Sequence, residues 1–242
     1  LTTKMLSGIV DTIMLGFEDS RKYYKNPEKT VVTGTPVRGE FARYTKNAAK
    51  AELGIPMDKP LVVSVWGSLG AANMNTVMCG FIKLAGKNPG FTLIHSAGSE
   101  GYEEMVTLLR KTAPDYEKNG MDVREYIYDM PRVMAAADLV LCRAGASTIS
   151  ELTYMHKPTI FVPSPFVTNN HQFKNAKVVE DAGGALIFEE GWFEPKELLD
   201  AVKKILSSES EREKMSAAME KLAMPEATDM ICDRIFSLCE SK

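Results

Sequence analysis

Short apolar runs alternate with longer amphipathic stretches along most of the chain. The runs are rich in Val, Ile and Leu, which is typical of strands that are covered on both faces. They lie at 61–66, 91–95, 122–127, 139–142, 157–162 and 185–188. Between them apolar residues recur with helical spacing, as at Met74, Val77 and Phe81. Strands that alternate with helices predict a Rossmann-like α/β fold, a parallel sheet with helices on both faces.

The two ends of the chain depart from this regular pattern. Residues 1–36 contain an apolar segment and a short strand, too little to bury a core, and the segment runs into Pro36, which predicts a hinge. Because the chain begins with Leu1 and not Met, we expect residues 1–36 to be the end of an upstream domain. Residues 37–223 form the predicted main domain, and residues 224–242 a final helix that packs back towards the upstream part.

Composition narrows the class of protein. The chain has 242 residues, of which 45% are hydrophobic and 25% charged, values that are ordinary for a soluble globular protein. A formal net charge of -3 gives no basic surface for a nucleic-acid partner. No apolar stretch is long enough to predict a transmembrane segment. The four cysteines lack the paired spacing of a metal site and fall in apolar patterns, so we expect reduced core thiols.

The stretch from Leu139 to Glu151 carries the strongest chemical signal. A predicted buried strand runs into a turn of small residues at 144–146, and a helix follows that begins with hydroxyl side chains. Small residues let a ligand approach the backbone closely. The free amides at a helix start bind phosphate oxygens. Glu151 lies one turn further on, where a carboxylate accepts both hydroxyls of a ribose, so the stretch indicates a nucleotide site.

A structural interpretation of the same residues stays open at this point. Thr148 and Glu151 have the spacing of a capping box, in which each side chain bonds the backbone amide of the other. Likewise, Gly67–Gly70 fits either a diphosphate cradle or an ordinary tight turn. Three such turns, at 67–72, 127–129 and 143–148, follow predicted strands. Since ligands of parallel sheets bind at the carboxyl ends of strands, this convergence favours a site.

Other chemistries lack their motifs. The chain has no G-x-G-x-x-G and no P-loop lysine, so we expect no dinucleotide cofactor and no ATPase activity. It has no D-x-D, and we expect no metal. We predict that His95 is structural and that His156 is solvated, whereas His171 lies beside Gln172 and Asn175 near a ligand.

A set of motifs, in the right order, resembles the MurG family of bacterial glycosyltransferases. The motifs are GTPVR at 34–38, GSLGA at 67–71, YIYDM at 126–130, CRAGASTISE at 142–151, FVPSP at 161–165 and NNHQFKNA at 169–176. The family adds N-acetylglucosamine from UDP-N-acetylglucosamine to undecaprenyl-pyrophosphoryl-muramyl-pentapeptide, the step from lipid I to lipid II in peptidoglycan synthesis. The resemblance covers the C-terminal, donor-binding half of the two-domain GT-B fold and the end of the N-terminal half.

The resemblance implies roles for residues of the nucleotide half of the donor. It implies that Glu151 holds the ribose hydroxyls. It also implies that Ser68 and Thr148 contact the diphosphate, beside the helix amides near Ala146 and Ser147.

Further roles follow from the same resemblance. The backbone of Ile127 is expected to bind the uracil edge, and Gln172 and Asn175 the sugar hydroxyls. Arg38 is expected to reach the donor from the hinge. An amide pair suits a sugar, because a site built for hydroxyls rejects analogues that leave its polar groups unpaired.

Two residues depart from the family pattern. Trp66 stands where a glycine is more usual, and Leu69 where a glutamine is more usual, so we expect these residues to alter the loop packing or the phosphate contacts. The family's general base and membrane-docking patch belong to its N-terminal half. We therefore expect no catalytic residue in this chain, donor binding without turnover, and in the full-length protein a cytoplasmic location, peripheral on the inner face of the cell membrane.

Two alternatives remain. The chain is also compatible with the donor half of another GT-B transferase that uses a diacylglycerol or dolichol-linked acceptor. In the second alternative it is a UDP-sugar-binding subunit that needs a separate acceptor-binding chain. An upstream sequence distinguishes them from the leading hypothesis, in which the lipid-linked acceptor binds through the missing N-terminal domain.

Overall fold

The computed structural model describes residues 5–67 and 69–240 and contains two parallel sheets. The smaller sheet pairs β1 (Ile13–Leu15) with β2 (Thr30–Val32). The strands of the larger sheet are β3 (Leu61–Val65), β4 (Thr92–Ser96), β5 (Met121–Arg124), β6 (Leu139–Cys142), β7 (Thr159–Phe161) and β8 (Ala185–Ile187). The α-helices are α1 (Lys46–Glu52), α2 (Ala72–Ala85), α3 (Tyr102–Thr112), α4 (Met130–Ala136), α5 (Ala146–Tyr154), α6 (His171–Asp181), α7 (Pro195–Ser207), α8 (Glu209–Leu222) and α9 (Ala227–Glu240). Short 3-10 helices occupy Glu18–Tyr23, Pro27–Lys29, Gly39–Ala42 and Thr168–Asn170.

The order of the strands fixes where a ligand binds. The larger sheet has six strands in the order β5-β4-β3-β6-β7-β8, and every neighbouring pair is parallel. The chain winds outwards from β3 in one direction and then from β6 in the other. In doubly wound sheets of this order, ligands bind beyond the carboxyl ends of the two strands where the direction reverses. The predicted Rossmann-like fold is confirmed, and the reversal lies between Val65 and Cys142, which are paired.

Alternating strand residues build a core on each face of this sheet. In β3, Val62 packs into one core with helices α2, α3 and α7, while Leu61 and Val63 pack into the other with α4, α5 and α6. All three side chains are fully buried, and burial of each contributes about 1.5–3 kcal/mol. Because helices cover both faces, a ligand reaches this sheet at the ends of its strands.

His95 lies inside this core, as predicted for a structural residue. Its Nδ1 lies 2.9 Å from Ser64 Oγ and its Nε2 lies 3.3 Å from Asn75 Oδ1. Complete burial lowers the pKa of His95 to about 3, because the charged imidazolium would lose its hydration. The ring is therefore neutral at physiological pH and joins β3, β4 and α2.

The structure corrects the predicted extent of β5. The strand ends at Arg124 and not at Ile127, because β5 is an edge strand and its ladder with β4 stops there. The residues that follow form a loop over the carboxyl end of the sheet. Asp129 is the N-cap residue of α4, although its carboxylate, 2.6 Å from the Nε of Arg132, makes no side-chain capping bond.

The prediction that all four cysteines are core thiols is correct for two of them. Cys79 and Cys142 are buried, whereas Cys232 and Cys239 on α9 are exposed. In the structure, α9 buries Ala227 alone among its residues. Among the helices of the described ranges, none combines the length and apolar character needed to cross a bilayer.

A side-chain hydrogen bond joins the two end segments of the chain. Arg234 on α9 donates from Nε to Thr12 Oγ1 at 3.3 Å. This bond joins the last helix to the segment that leads into β1. The division of the chain at residues 36 and 223 stays a prediction.

Candidate functional site

A cavity of about 670 Å³ opens at the carboxyl ends of the central strands. Four residues singled out from the sequence line it together: Ile127 after β5, Thr148 and Glu151 on α5, and Gln172 on α6. They reach it because the carboxyl ends of parallel strands share one edge of the sheet. The volume lies within the range of about 300–1,000 Å³ that is usual for small-molecule sites.

The loop after β3 forms one wall by backbone contact. A Cβ on Gly70 (φ +80°) would lie 2.1 Å from the carbonyl oxygen of Ala97, and a Cβ on Gly98 (φ +79°) would lie 2.2 Å from that of Leu69. Only glycine allows two backbones to approach this closely in these conformations. The predicted turn is therefore fixed against the turn that follows β4. Ser68, a predicted diphosphate contact, lies outside the described residues.

The start of α5, where Gly145 and Thr148 line the cavity, has backbone amides without an acceptor inside the helix. Gly145 is the N-cap and makes no side-chain capping bond, so the capping-box interpretation of Thr148 and Glu151 is wrong. Both residues lie inside the helix, where the first backbone bond runs from Ile149 N to the oxygen of Gly145 at 2.9 Å. The N–H groups of 146–148 precede that bond and have no acceptor within the helix. Together with the helix dipole they favour an anion at this point.

Glu151 points away from its own helix start and towards the cavity. Its Oε1 lies 4.0 Å from the Nη2 of Arg38, and its side chain is 23% exposed. Burial raises the pKa of the Glu151 carboxyl, and the Arg38 guanidinium partly offsets this. Arg38 itself is largely exposed and stacks near the ring of Phe41. The structure thus places Arg38 behind the carboxylate, outside the wall of the cavity.

Ile127 brings backbone polar groups to the cavity from a buried position. The residue is 3% exposed. Within the described part of the chain, neither its N–H nor its C=O has a hydrogen-bond partner. Buried backbone groups are nearly always paired, so these two are available to a ligand with a donor and an acceptor side by side. The ring of Tyr126 lines the same end of the cavity.

The two predicted sugar-binding amides differ in their surroundings. Gln172 lines the cavity, and its Oε1 accepts from the N–H of Ser164 at 2.9 Å, while its amide nitrogen has no partner among the described residues. Asn175 donates from Nδ2 to the oxygen of Ala144 at 3.3 Å and borders a neighbouring cavity. His171 borders that second cavity too, and its Nδ1 lies 2.9 Å from the oxygen of Thr168.

The cavity wall contains a buried ion pair that was not predicted from the sequence. Arg143, directly after β6, brings its Nη1 within 2.7 Å of Glu190 Oε2, and the two side chains are 13% and 7% exposed. The same Nη1 donates to the oxygen of Val162 at 2.9 Å, and Asn73 donates to Glu190 Oε1 at 3.1 Å. The guanidinium lies 5.8 Å from the ring of Trp66. The position of Arg143, a charged residue directly after a predicted strand, could have indicated a role in the site. Glu190 lies in none of the motifs, so no sequence pattern indicated it.

Comparison with known proteins places this geometry in a family. Residues 61–231 match the family model described as the glycosyltransferase family 28 C-terminal domain. A protein of Acetivibrio thermocellus is 36% identical over 242 residues, covering 100% of this chain and 64% of that protein. One of Caldicellulosiruptor saccharolyticus is 38% identical over 231 residues, covering 96% of this chain and 61% of that protein. Both are named UDP-N-acetylglucosamine--N-acetylmuramyl-(pentapeptide) pyrophosphoryl-undecaprenol N-acetylglucosamine transferase.

A solved structure shows the same relation. The crystal structure of Acinetobacter baumannii MurG superposes with a TM-score of 0.74 at 26% identity, over 98% of this chain and 63% of that one. The predicted fold, the C-terminal half of a GT-B glycosyltransferase, is confirmed by this likeness. The chain spans about 64% of the length of the curated relative from Acetivibrio thermocellus. The family model matches most of the length of the chain. The chain therefore belongs to the family described as the glycosyltransferase family 28 C-terminal domain.

Proposed function

We propose that this chain is the donor-binding half of an inverting glycosyltransferase that transfers N-acetylglucosamine from UDP-N-acetylglucosamine to a lipid-linked muramyl-pentapeptide. One observation carries the proposal: Ile127, Thr148, Glu151 and Gln172 line a single cavity at the strand reversal. The names of the relatives supply the donor and the acceptor, and the cavity supplies groups that fit the donor.

The nucleoside end of the donor fits between β5 and α5. Uracil offers a ring N–H beside a carbonyl oxygen, which is the complement of the unpaired C=O and N–H of Ile127. Glu151 accepts the two ribose hydroxyls with its carboxylate. A site built from such buried polar groups rejects analogues that leave them unpaired. This arrangement selects a uridine nucleotide by backbone geometry and a ribose by charge.

The diphosphate fits at the start of α5. The amides of Ala146, Ser147 and Thr148 have no acceptor within the helix, and we assign the Thr148 hydroxyl to the same oxygens. We also assign Ser68 to the diphosphate. When the glycosidic bond to the diphosphate breaks, negative charge builds on the leaving phosphate. Preformed backbone donors stabilise that charge without reorganising.

The sugar fits towards α6. Gln172 uses its oxygen to hold Ser164 N–H, so its amide N–H groups are free to donate to sugar hydroxyls. Asn175 donates to the oxygen of Ala144, and we assign it to the sugar indirectly, as a residue that positions this turn. Arg38 is assigned to the donor from the hinge side, where it lies next to Glu151.

The acceptor side of the reaction lies outside these residues in our proposal. Attack on the anomeric carbon needs a base for the acceptor hydroxyl, and we assign that base and the lipid-linked acceptor to an N-terminal domain. The chain alone then binds donor without turnover. In the full-length protein, a lipid-linked acceptor implies a peripheral position on the cytoplasmic face of the membrane.

Calorimetric titration with UDP-N-acetylglucosamine tests the proposal. We expect saturable binding that E151A weakens by roughly 1–3 kcal/mol, the effect of losing hydrogen bonds to a charged group. E189A is the matched control, because Glu189 is exposed and does not line the cavity. Equal affinity of E151A and wild type removes Glu151 from the site. Tighter binding of UDP-glucose or UDP-galactose refutes the proposed sugar.

A further inference from the structure

The charges of the cavity do not suit an anionic ligand at first sight. Among the described residues that line it, those of the acidic and basic types are Arg143, Glu151 and Glu190. The wall therefore has two carboxylates and one guanidinium. A sugar nucleotide brings two negative charges on its diphosphate, and UDP without the sugar brings up to three. The guanidinium of Arg143 could bind these negative charges, but it already pairs with Glu190.

The pair of Arg143 and Glu190 cancels its charge inside the wall. Their 2.7 Å approach joins Nη1 to Oε2, yet the angle is not that of a hydrogen bond, since Glu190 Oε2 has no hydrogen-bond partner in the described part of the chain. The other oxygen of Glu190 is held by Asn73 at the start of α2. Arg143 is held by the backbone of Val162. Each member is thus positioned independently, and the two meet as opposite charges.

Burial makes this cancellation effective. Both side chains are at least 87% shielded, so their charges are screened by each other more than by water. Charge interactions in such surroundings are several times stronger than in bulk water. Removal of either member alters the potential felt by a ligand in the cavity. Removal of both leaves it nearly as before.

We propose that Glu190 masks the charge of Arg143 and thereby limits how tightly the cavity holds the negative charge of the nucleotide. The proposal rests on the proposed function, since it concerns the same uridine nucleotide. The donor is then held by the neutral amides of α5, the backbone of Ile127 and the hydroxyl contacts of Glu151. The product UDP has one more negative charge than the diphosphate of the donor. Because Arg143 is masked, this extra charge adds little affinity, and UDP is released.

A purely structural brace makes a different prediction. If the pair does no more than tie α2 to the ends of β6 and β8, every substitution weakens binding of every ligand. If Glu190 masks charge, binding follows the net charge of the pair, and an uncharged ligand is indifferent to it. The sign of the change in affinity therefore separates the two explanations.

Calorimetry with uridine, UMP and UDP tests the proposal on four proteins: wild type, E190Q, R143M and the double variant R143M/E190Q. We expect E190Q to bind UDP about tenfold more tightly than wild type, UMP less so, and uridine equally. The double variant is expected to match wild type. R143M is expected to bind UDP more weakly, and all titrations are made at about pH 8, where the terminal phosphate of UDP is fully ionised. E189Q serves as the control, because its carboxylate is exposed and outside the wall.

Thermal unfolding of each variant is measured first. Removing one member of a buried pair leaves the other charge unpaired and destabilises the fold. If E190Q does not fold, the comparison of R143M with the double variant carries the test, and the double variant must bind UDP more tightly. UDP affinity in E190Q that is unchanged or lower, or an equal gain for uridine, overturns the proposal. Wild type that binds neither uridine nor UDP overturns the proposed function instead.

Discussion

Protonation of Glu151 is expected to release the donor as the pH falls. Burial raises the pKa of this carboxyl in the free protein. Ribose hydroxyls donate to the ionised form, so the bound pKa lies lower than the free one. By linkage, affinity for UDP-N-acetylglucosamine falls as the pH drops through the raised pKa, by at most tenfold per pH unit.

The size of the effect follows from the type of bond. Hydrogen bonds to a charged group are worth about 1.5–3 kcal/mol, against about 0.5–1.5 kcal/mol for neutral partners. The Glu151 side chain is 23% exposed, so water screens part of the difference. We expect E151Q to lose about 1.4 kcal/mol, or about tenfold in affinity, at neutral pH. The loss shrinks on acidification, because Glu151 and the glutamine then carry the same charge.

Calorimetry from about pH 7.5 to about pH 4.5 measures this dependence. UDP-N-acetylglucosamine is the right titrant, because each of its phosphates has one ester bond and one anhydride bond, so neither titrates near neutrality. Free UDP is unsuitable, since its terminal phosphate has a pKa near 6. E189Q controls for general effects of the charge change. A wild-type affinity that stays constant over this range, or that falls equally in E151Q, refutes the reasoning.

The same pKa shift has the opposite effect on stability. Because the folded pKa of Glu151 is raised, the folded state binds more protons than the unfolded state between the ordinary and the raised pKa. The free energy of unfolding therefore falls as the pH rises through that interval. E151Q removes the ionisation, so urea denaturation is expected to show this variant gaining stability relative to wild type above the raised pKa.

Three further predictions concern the framework of the site. D138A is expected to lower the free energy of unfolding by about 3–5 kcal/mol in urea denaturation, because it leaves the buried Lys50, 3.0 Å away, without its counter-charge; an effect below about 1 kcal/mol contradicts this. G98A is expected to destabilise more than the control G54A, since both have positive φ but a Cβ at Gly98 alone meets backbone, and equal effects would contradict a close approach. The two exposed thiols of α9 are expected to react rapidly with a thiol reagent in the native protein and the two buried ones after denaturation alone, which counting of released chromophore checks.

Much of the fold could be predicted from local sequence patterns, because the requirements for a buried strand or a tight turn are met within a few consecutive residues. A fully buried strand such as β3 needs apolar residues on both faces, and that run is visible in the sequence. The turn before α5 was predictable for the same reason, since small residues there follow directly on a buried strand. Ile127 and Glu151 could be placed near each other because both follow strands whose carboxyl ends share an edge.

The parts that were missed depend on residues far apart in the chain. Glu190 meets Arg143 because β6 and β8 flank β7 in the sheet, and no local spacing encodes that neighbourhood. The capping-box spacing at Thr148 and Glu151 was ambiguous until the helix was found to begin at Gly145. Asn175 has helical spacing from Gln172, yet its amide bonds the turn behind the cavity.

A crystal structure of the chain with UDP-N-acetylglucosamine tests the central claim most directly. The account predicts the uracil against the backbone of Ile127, the ribose hydroxyls on Glu151, the diphosphate at the amides that begin α5, and the sugar beside Gln172. A nucleotide that binds in solution but lies outside this cavity, or lies in it with the ribose away from Glu151, would contradict the account.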